Sequence, residues 1–88
     1  MRIEDTNKIS NLSILDAKCN FKILELQGID LDDDWSKLSK LKNLETLILK
    51  DSYIDFKKFY NAIFLLKKLT KLKLNHYCYF NKSKNDKF

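Results

Sequence analysis

Leu41-Lys42-Asn43-Leu44-Glu45-Thr46-Leu47-Ile48-Leu49 places leucines at 44, 47 and 49, in the spacing L-x-x-L-x-L. The same spacing returns downstream as Leu69-Thr70-Lys71-Leu72-Lys73-Leu74. A third copy lies upstream as Phe21-Lys22-Ile23-Leu24-Glu25-Leu26, with Phe in the first place. The copies begin at 21, 44 and 69, so the steps between them are 23 and 25 residues. Self-similarity at a period of about 20–50 residues marks stacked supersecondary units, each burying its apolar side against its neighbours. The spacing speaks to fold and names no partner.

Between the copies the apolar step lengthens to three and four residues. After Ile29 and Leu31, Asp32-Asp33-Asp34 precedes Trp35, Leu38 and Leu41. Acids ahead of such a run supply N-cap oxygens and favour the positive end of a helix dipole. The triple Asp lacks the Gly and the distal Glu of a calcium loop, so it reads as a cap, and no metal site is expected. The next return segment is predicted as a helix from Asp55 to Lys68, with Phe56, Phe59, Tyr60, Ile63 and Leu66 forming its apolar stripe.

At the N-terminus, Asp5-Thr6-Asn7-Lys8-Ile9-Ser10-Asn11-Leu12-Ser13 echoes the stretch from Asp34 to Lys42 at its apolar positions. We read it as the helical half of an incomplete unit, with residues 1–20 as an N-terminal cap. A second threading sets Ile9, Leu12, Ile14, Ala17 and Cys19 in one full unit. It leaves only 12 residues before the copy at Phe21, too few for a full coil. Residues 21–80 then hold the repeats, closed by the aromatic cluster Asn75-His76-Tyr77-Cys78-Tyr79-Phe80 as a C-terminal plug. Residues 81–88 form a basic tail.

Residues 21–79 resemble the leucine-rich repeat family. The resemblance implies an α/β fold: a short leucine-rich-repeat solenoid, with a small parallel sheet on the concave side and helices on the convex side. The chain departs from the family where Asn or Cys is usual. Ile29, Ser52 and Tyr77 stand there, so the asparagine hydrogen-bond ladder is expected to be absent or replaced. About three repeats is the minimum for a stable array, and reliance on a partner is expected.

Strand alternation turns Leu24 and Leu26 inward and exposes Ile23, Glu25 and Gln27. The matching outward sets are Thr46, Ile48 and Lys50, then Lys71, Lys73 and Asn75. Charge is divided along the chain. Residues 1–34 carry eight acids against four bases, a net −4, while residues 35–88 carry thirteen lysines against four acids, a net +9. Such asymmetry points to an acidic partner for the C-terminal half. Lys50, Lys57, Lys58, Lys67, Lys68, Lys71 and Lys73 run on into Lys82, Lys84 and Lys87, a stripe that can follow several phosphates. Tyr77 and Tyr79, with Phe80, offer stacking surfaces for unpaired bases. Sixteen Lys to one Arg, a single Gly and no Pro is also the usage of an A+T-rich genome, which by itself raises the lysine count.

No apolar run approaches the ~20 residues needed to span a bilayer. Met1-Arg2-Ile3-Glu4-Asp5-Thr6 lacks the uninterrupted apolar region of a signal peptide, so a cytoplasmic location is expected. Cys19 and Cys78 belong to no CxxC or Cys/His cluster and read as reduced thiols. G-x-x-x-x-G-K-[ST], G-x-S-x-G and H-E-x-x-H are absent, and the sole histidine, His76, has no adjacent acid or nucleophile. Neither catalysis nor a cofactor is expected.

In composition and size the chain is also similar to lineage-specific ribosomal proteins of compacted, microsporidian-type ribosomes. That similarity implies a non-catalytic structural part of a ribonucleoprotein particle, held on rRNA beside neighbouring ribosomal proteins. The alternative is a protein-protein interaction adaptor, the common role of leucine-rich repeats, using Ile23, Glu25, Thr46 and Ile48 on the concave strand face.

Overall fold

The structure is a computed structural model, and it describes residues 6–80. Among these, β1 (Thr6–Ile9) is followed by a 3-10 turn at Leu12–Ile14 and by β2 (Ile23–Gln27). A 3-10 segment at Trp35–Lys40 leads to β3 (Thr46–Lys50) and β4 (Tyr53–Ile54). Next come α1 (Phe56–Phe64), β5 (Lys71–Leu74) and β6 (Tyr79–Phe80). β1, β2, β3 and β5 form one parallel sheet in that order, and β4 pairs with β6 in a second, two-stranded parallel sheet. The protein is a small mixed α/β domain with a parallel sheet and few helices.

The register follows the leucine spacing. Leu24, Leu47 and Leu72 stand level across the sheet, as do Leu26, Leu49 and Leu74. Successive strand residues point to opposite faces, so these two rows share one face, where Leu24, Leu26, Leu47 and Leu49 are wholly buried. The first leucine of the middle copy, Leu44, is buried too, as are Leu41 before it and Leu38 and Trp35 from the preceding segment. Trp35 lies edge-on to Phe59 of α1 at 5.7 Å between ring centroids and donates its indole N–H to the Asp30 carbonyl at 3.1 Å. That bond satisfies the polar end of an otherwise apolar side chain. The tryptophan thereby ties the 3-10 segment to the helix.

Three elements differ from expectation. Thr6–Ile9 is a strand and not the helical half of a unit. It pairs with β2 and sets Ile9 level with Leu26. Pairing satisfies the backbone along an edge that β2 would otherwise leave open, and that outweighs the helix-like spacing of Ile9 and Leu12. Leu12 is still buried, but by way of a 3-10 turn whose N-cap, Asn11, accepts from the Ser13 N–H. The segment after the acids is 3-10, with Asp34 capping it through the Ser36 N–H as the acidic run predicts for a cap. The helix expected to reach Lys68 ends at Phe64, because the chain must turn within six residues to enter β5. Its cap is Asp55, which accepts from the Lys58 N–H.

Successive units are joined at both ends of the strands. The Lys22 carbonyl accepts from both Glu45 and Thr46, and one unit later the Glu45 carbonyl accepts from both Thr70 and Lys71. At the other end Ser52, wholly buried, accepts the Ile29 N–H at 3.0 Å and donates its hydroxyl to the Lys50 carbonyl at 2.8 Å. Beside it, Gly28 (φ 72°) and Asp51 (φ 50°) occupy the same level in the left-handed region. Glycine adopts that region freely, and aspartate tolerates it better than most residues. The Asp51 carboxylate uses the bend to accept from Gln27 and from Asn75, each at 3.1 Å.

Candidate functional site

The face of the sheet opposite the leucines carries the candidate residues of β2, β3 and β5. Its level rows are Thr6, Ile23, Thr46 and Lys71, then Lys8, Glu25, Ile48 and Lys73, then Gln27 and Lys50. Lys50, Lys71 and Lys73 therefore share a face with Ile23, Glu25, Thr46 and Ile48. The basic set and the strand-centred set thus overlap on this face through these three lysines. Glu25 is only 7% exposed there, and its carboxylate meets the Lys50 ammonium at 3.5 Å. Ile23, Thr46 and Ile48 are half-buried, so the middle of the face is partly filled and its β5 end is the open one.

The remaining basic residues are spread beyond the sheet. Lys57 and Lys58 lie in the first turn of α1, where Lys58 is 4.0 Å from Asp55. Lys67 and Lys68 lie in the turn into β5. Lys67 stands over the Phe64 ring at 5.4 Å, and the Lys68 ammonium donates to the Asn43 side chain at 3.1 Å. Lys57, Lys71 and Lys73 are exposed and make no ion pair among the described residues. Lys82, Lys84 and Lys87 lie outside the described residues.

The aromatic cluster divides in the same way. Phe80 packs on Phe56 and Phe59 at 5.8 and 6.0 Å and so seals the end of α1. Tyr79 and Tyr77 turn outward, both more than half exposed. Tyr79 stacks on Tyr53 at 5.5 Å with 23° between planes, and Tyr77 lies against His76 at 4.2 Å. The stacked pair follows from the β4–β6 ladder, which sets Tyr53 level with Tyr79. Sequence reasoning does not reach Tyr53. Its only signal there is its place beside the buried Ser52 and Ile54 in the second unit.

The chain matches no family model, no curated protein and no solved structure.

An open cleft of about 410 Å³ lies between the 3-10 segment and α1, lined by Asp34, Ser36, Ser39, Lys58, Asn61, Ala62 and Leu65. Its acid is already engaged. The Ser36 hydroxyl, then the Ser36 N–H, with Lys37 and Lys58 nearby, hold the Asp34 carboxyl below the ordinary carboxylate range. These interactions belong to helix capping. Among the described residues no group of three or more His, Cys, Asp or Glu is placed to hold a metal ion. No helix there is long and apolar enough to cross a membrane.

Proposed function

We propose that this protein is a non-catalytic structural component of a ribonucleoprotein particle, a ribosome above all, bound to rRNA through its Lys-rich C-terminal half. One observation carries the reading. At the β5 end of the sheet, Lys71 and Lys73 stand exposed and without ion pairs among the described residues, on the same domain as the outward Tyr77 and the Tyr53–Tyr79 stack. Unpaired cations release counterions when they meet phosphates, and exposed rings stack on unpaired bases. The leucine-rich-repeat reading of the fold belongs to the same proposal. It is supported by level strands stepping from 23 to 46 to 71, and by Ser52 bridging two units where the family carries Asn or Cys.

The test is binding of an rRNA fragment across a salt series, with the wild-type chain and with Lys67, Lys68, Lys71 and Lys73 changed together to Ala. The expected result is a steep fall of affinity with salt. In the variant the slope should be shallower by about 0.7 for each phosphate of a single-stranded RNA that is no longer neutralised. Salt-insensitive binding, or an unchanged slope in the variant, overturns the proposal.

A further inference from the structure

Among the described residues the sheet ends at β5, which pairs with β3 on one side and with no strand on the other. Lys71 and Asn75 donate their N–H groups inward, to the Glu45 and Leu49 carbonyls, at 3.1 Å each. Backbone groups alternate sides along a strand, so Leu72 and Leu74 direct theirs at the open edge. The same two leucines belong to the core rows, yet they are 42% and 43% exposed, where Leu47 and Leu49 one strand inward are wholly buried. Two demands coincide at one place: a backbone row without a strand partner, and apolar side chains half in water.

We propose that β5 takes an extended segment of another protein as an added strand, one in which apolar residues alternate with acidic ones. The apolar positions would continue the leucine rows and cover Leu72 and Leu74. The acidic positions would fall on the opposite face, beside Lys71 and Lys73. Main-chain bonds hold such a strand, and alternate side chains select it. The sheet already contains this pairing once, where Glu25 of β2 meets Lys50 of β3 diagonally across the ladder.

Charge decides against the other occupants. Joining β5 to β5 of a second copy with the leucines on one face sets lysine opposite lysine, which is destabilising. Extending the sheet with β1 of a second copy in the existing register brings Lys8 beside Lys73 and polar Asn7 beside Leu72. The sequence of residues 81–88 carries three lysines against one acid and so repeats the charge of the edge. RNA meets the lysines but has no amide row to close the ladder and no apolar side chains for the leucines. The inference therefore stands apart from the rRNA proposal.

The experiment uses the full chain and an alternating Glu/Val peptide of about six residues, the common strand length. Amide exchange at Leu72 and Leu74 is followed with and without it. A Lys/Val peptide and a Glu/Val peptide of the same composition in blocks are the controls. Both amides should exchange fast in the free chain and slow by about tenfold or more with the alternating acidic peptide alone. Leu72→Pro removes an outward N–H while leaving the inward bonds and the lysines, and should weaken the peptide by about tenfold. Lys71→Glu with Lys73→Glu, two surface changes that leave the core intact, should transfer the preference to the Lys/Val peptide. Slow exchange in the free chain overturns the proposal, since the tail or a second copy then already covers the edge. So does equal protection by the block peptide, no protection at millimolar peptide, or the same protection from an RNA oligonucleotide.

Discussion

The hydroxyl of Ser52 accepts the backbone N–H of Ile29 at 3.0 Å, from one unit to the next, in a place that solvent does not reach. Ser52 also returns its own hydrogen to the Lys50 carbonyl, so a single small side chain satisfies a donor and an acceptor at the end of two strands. Ser52→Ala keeps the volume nearly unchanged but leaves the Ile29 N–H buried and unpaired. The expected cost is about 1–3 kcal/mol, read as a lower midpoint in urea. A change within measurement error would mean that Ile29 finds another acceptor.

The leucine rows should grade in energy from the middle of the sheet to its edge. Leu47→Ala or Leu49→Ala, at fully buried positions, should cost about 2–5 kcal/mol, comparable to the whole stability of a domain of this size. Leu72→Ala, level with Leu47 but 42% exposed, should cost clearly less. Chemical denaturation of the three variants reads this order directly. Equal losses at 47 and 72 would show that the β5 edge is as well covered as the centre.

Asp34 supplies a pH dependence whose sign is fixed by its cap. The folded carboxyl titrates below its ordinary value, so its contribution is fully present above the unfolded value and is lost as the pH falls through the lower, folded one. The group is exposed, which keeps the effect small. An NMR titration of the Asp34 carboxyl should give a midpoint below that of an unstructured aspartate. Asp34→Ala should loosen the Trp35–Lys40 segment at neutral pH, whereas Asp34→Asn, which still accepts from Ser36, should largely preserve it.

If rRNA is the partner, the outward tyrosines should matter in proportion to their stacking. Tyr79→Ala removes both its own ring and the support of Tyr53, and should weaken binding to a single-stranded rRNA fragment by about 1–3 kcal/mol. Phe80→Ala should instead lower stability, because Phe80 packs on Phe56 and Phe59. Measuring affinity and melting temperature for both variants separates the two roles.

The sequence by itself settled what depends on local order. Leucines at 44, 47 and 49 and their copies specify strands, and Asp34 and Asp55 specify where the following segments begin. A side-chain oxygen ahead of an apolar run acts within three residues of itself, so both caps are legible in one dimension. Tertiary structure decided what depends on neighbours. Thr6–Ile9 became a strand because β2 offered an unpaired edge, and its short 17-residue step to Ile23 hid it from a search for the longer period. Lys50, Lys71 and Lys73 were joined to Glu25 and Ile48 on one face by the register of separate strands. Leu72 and Leu74 read like every other leucine in the repeats, and only the lack of a next strand among the described residues leaves them half exposed. Burial is a property of what lies alongside, and no spacing within one strand records it.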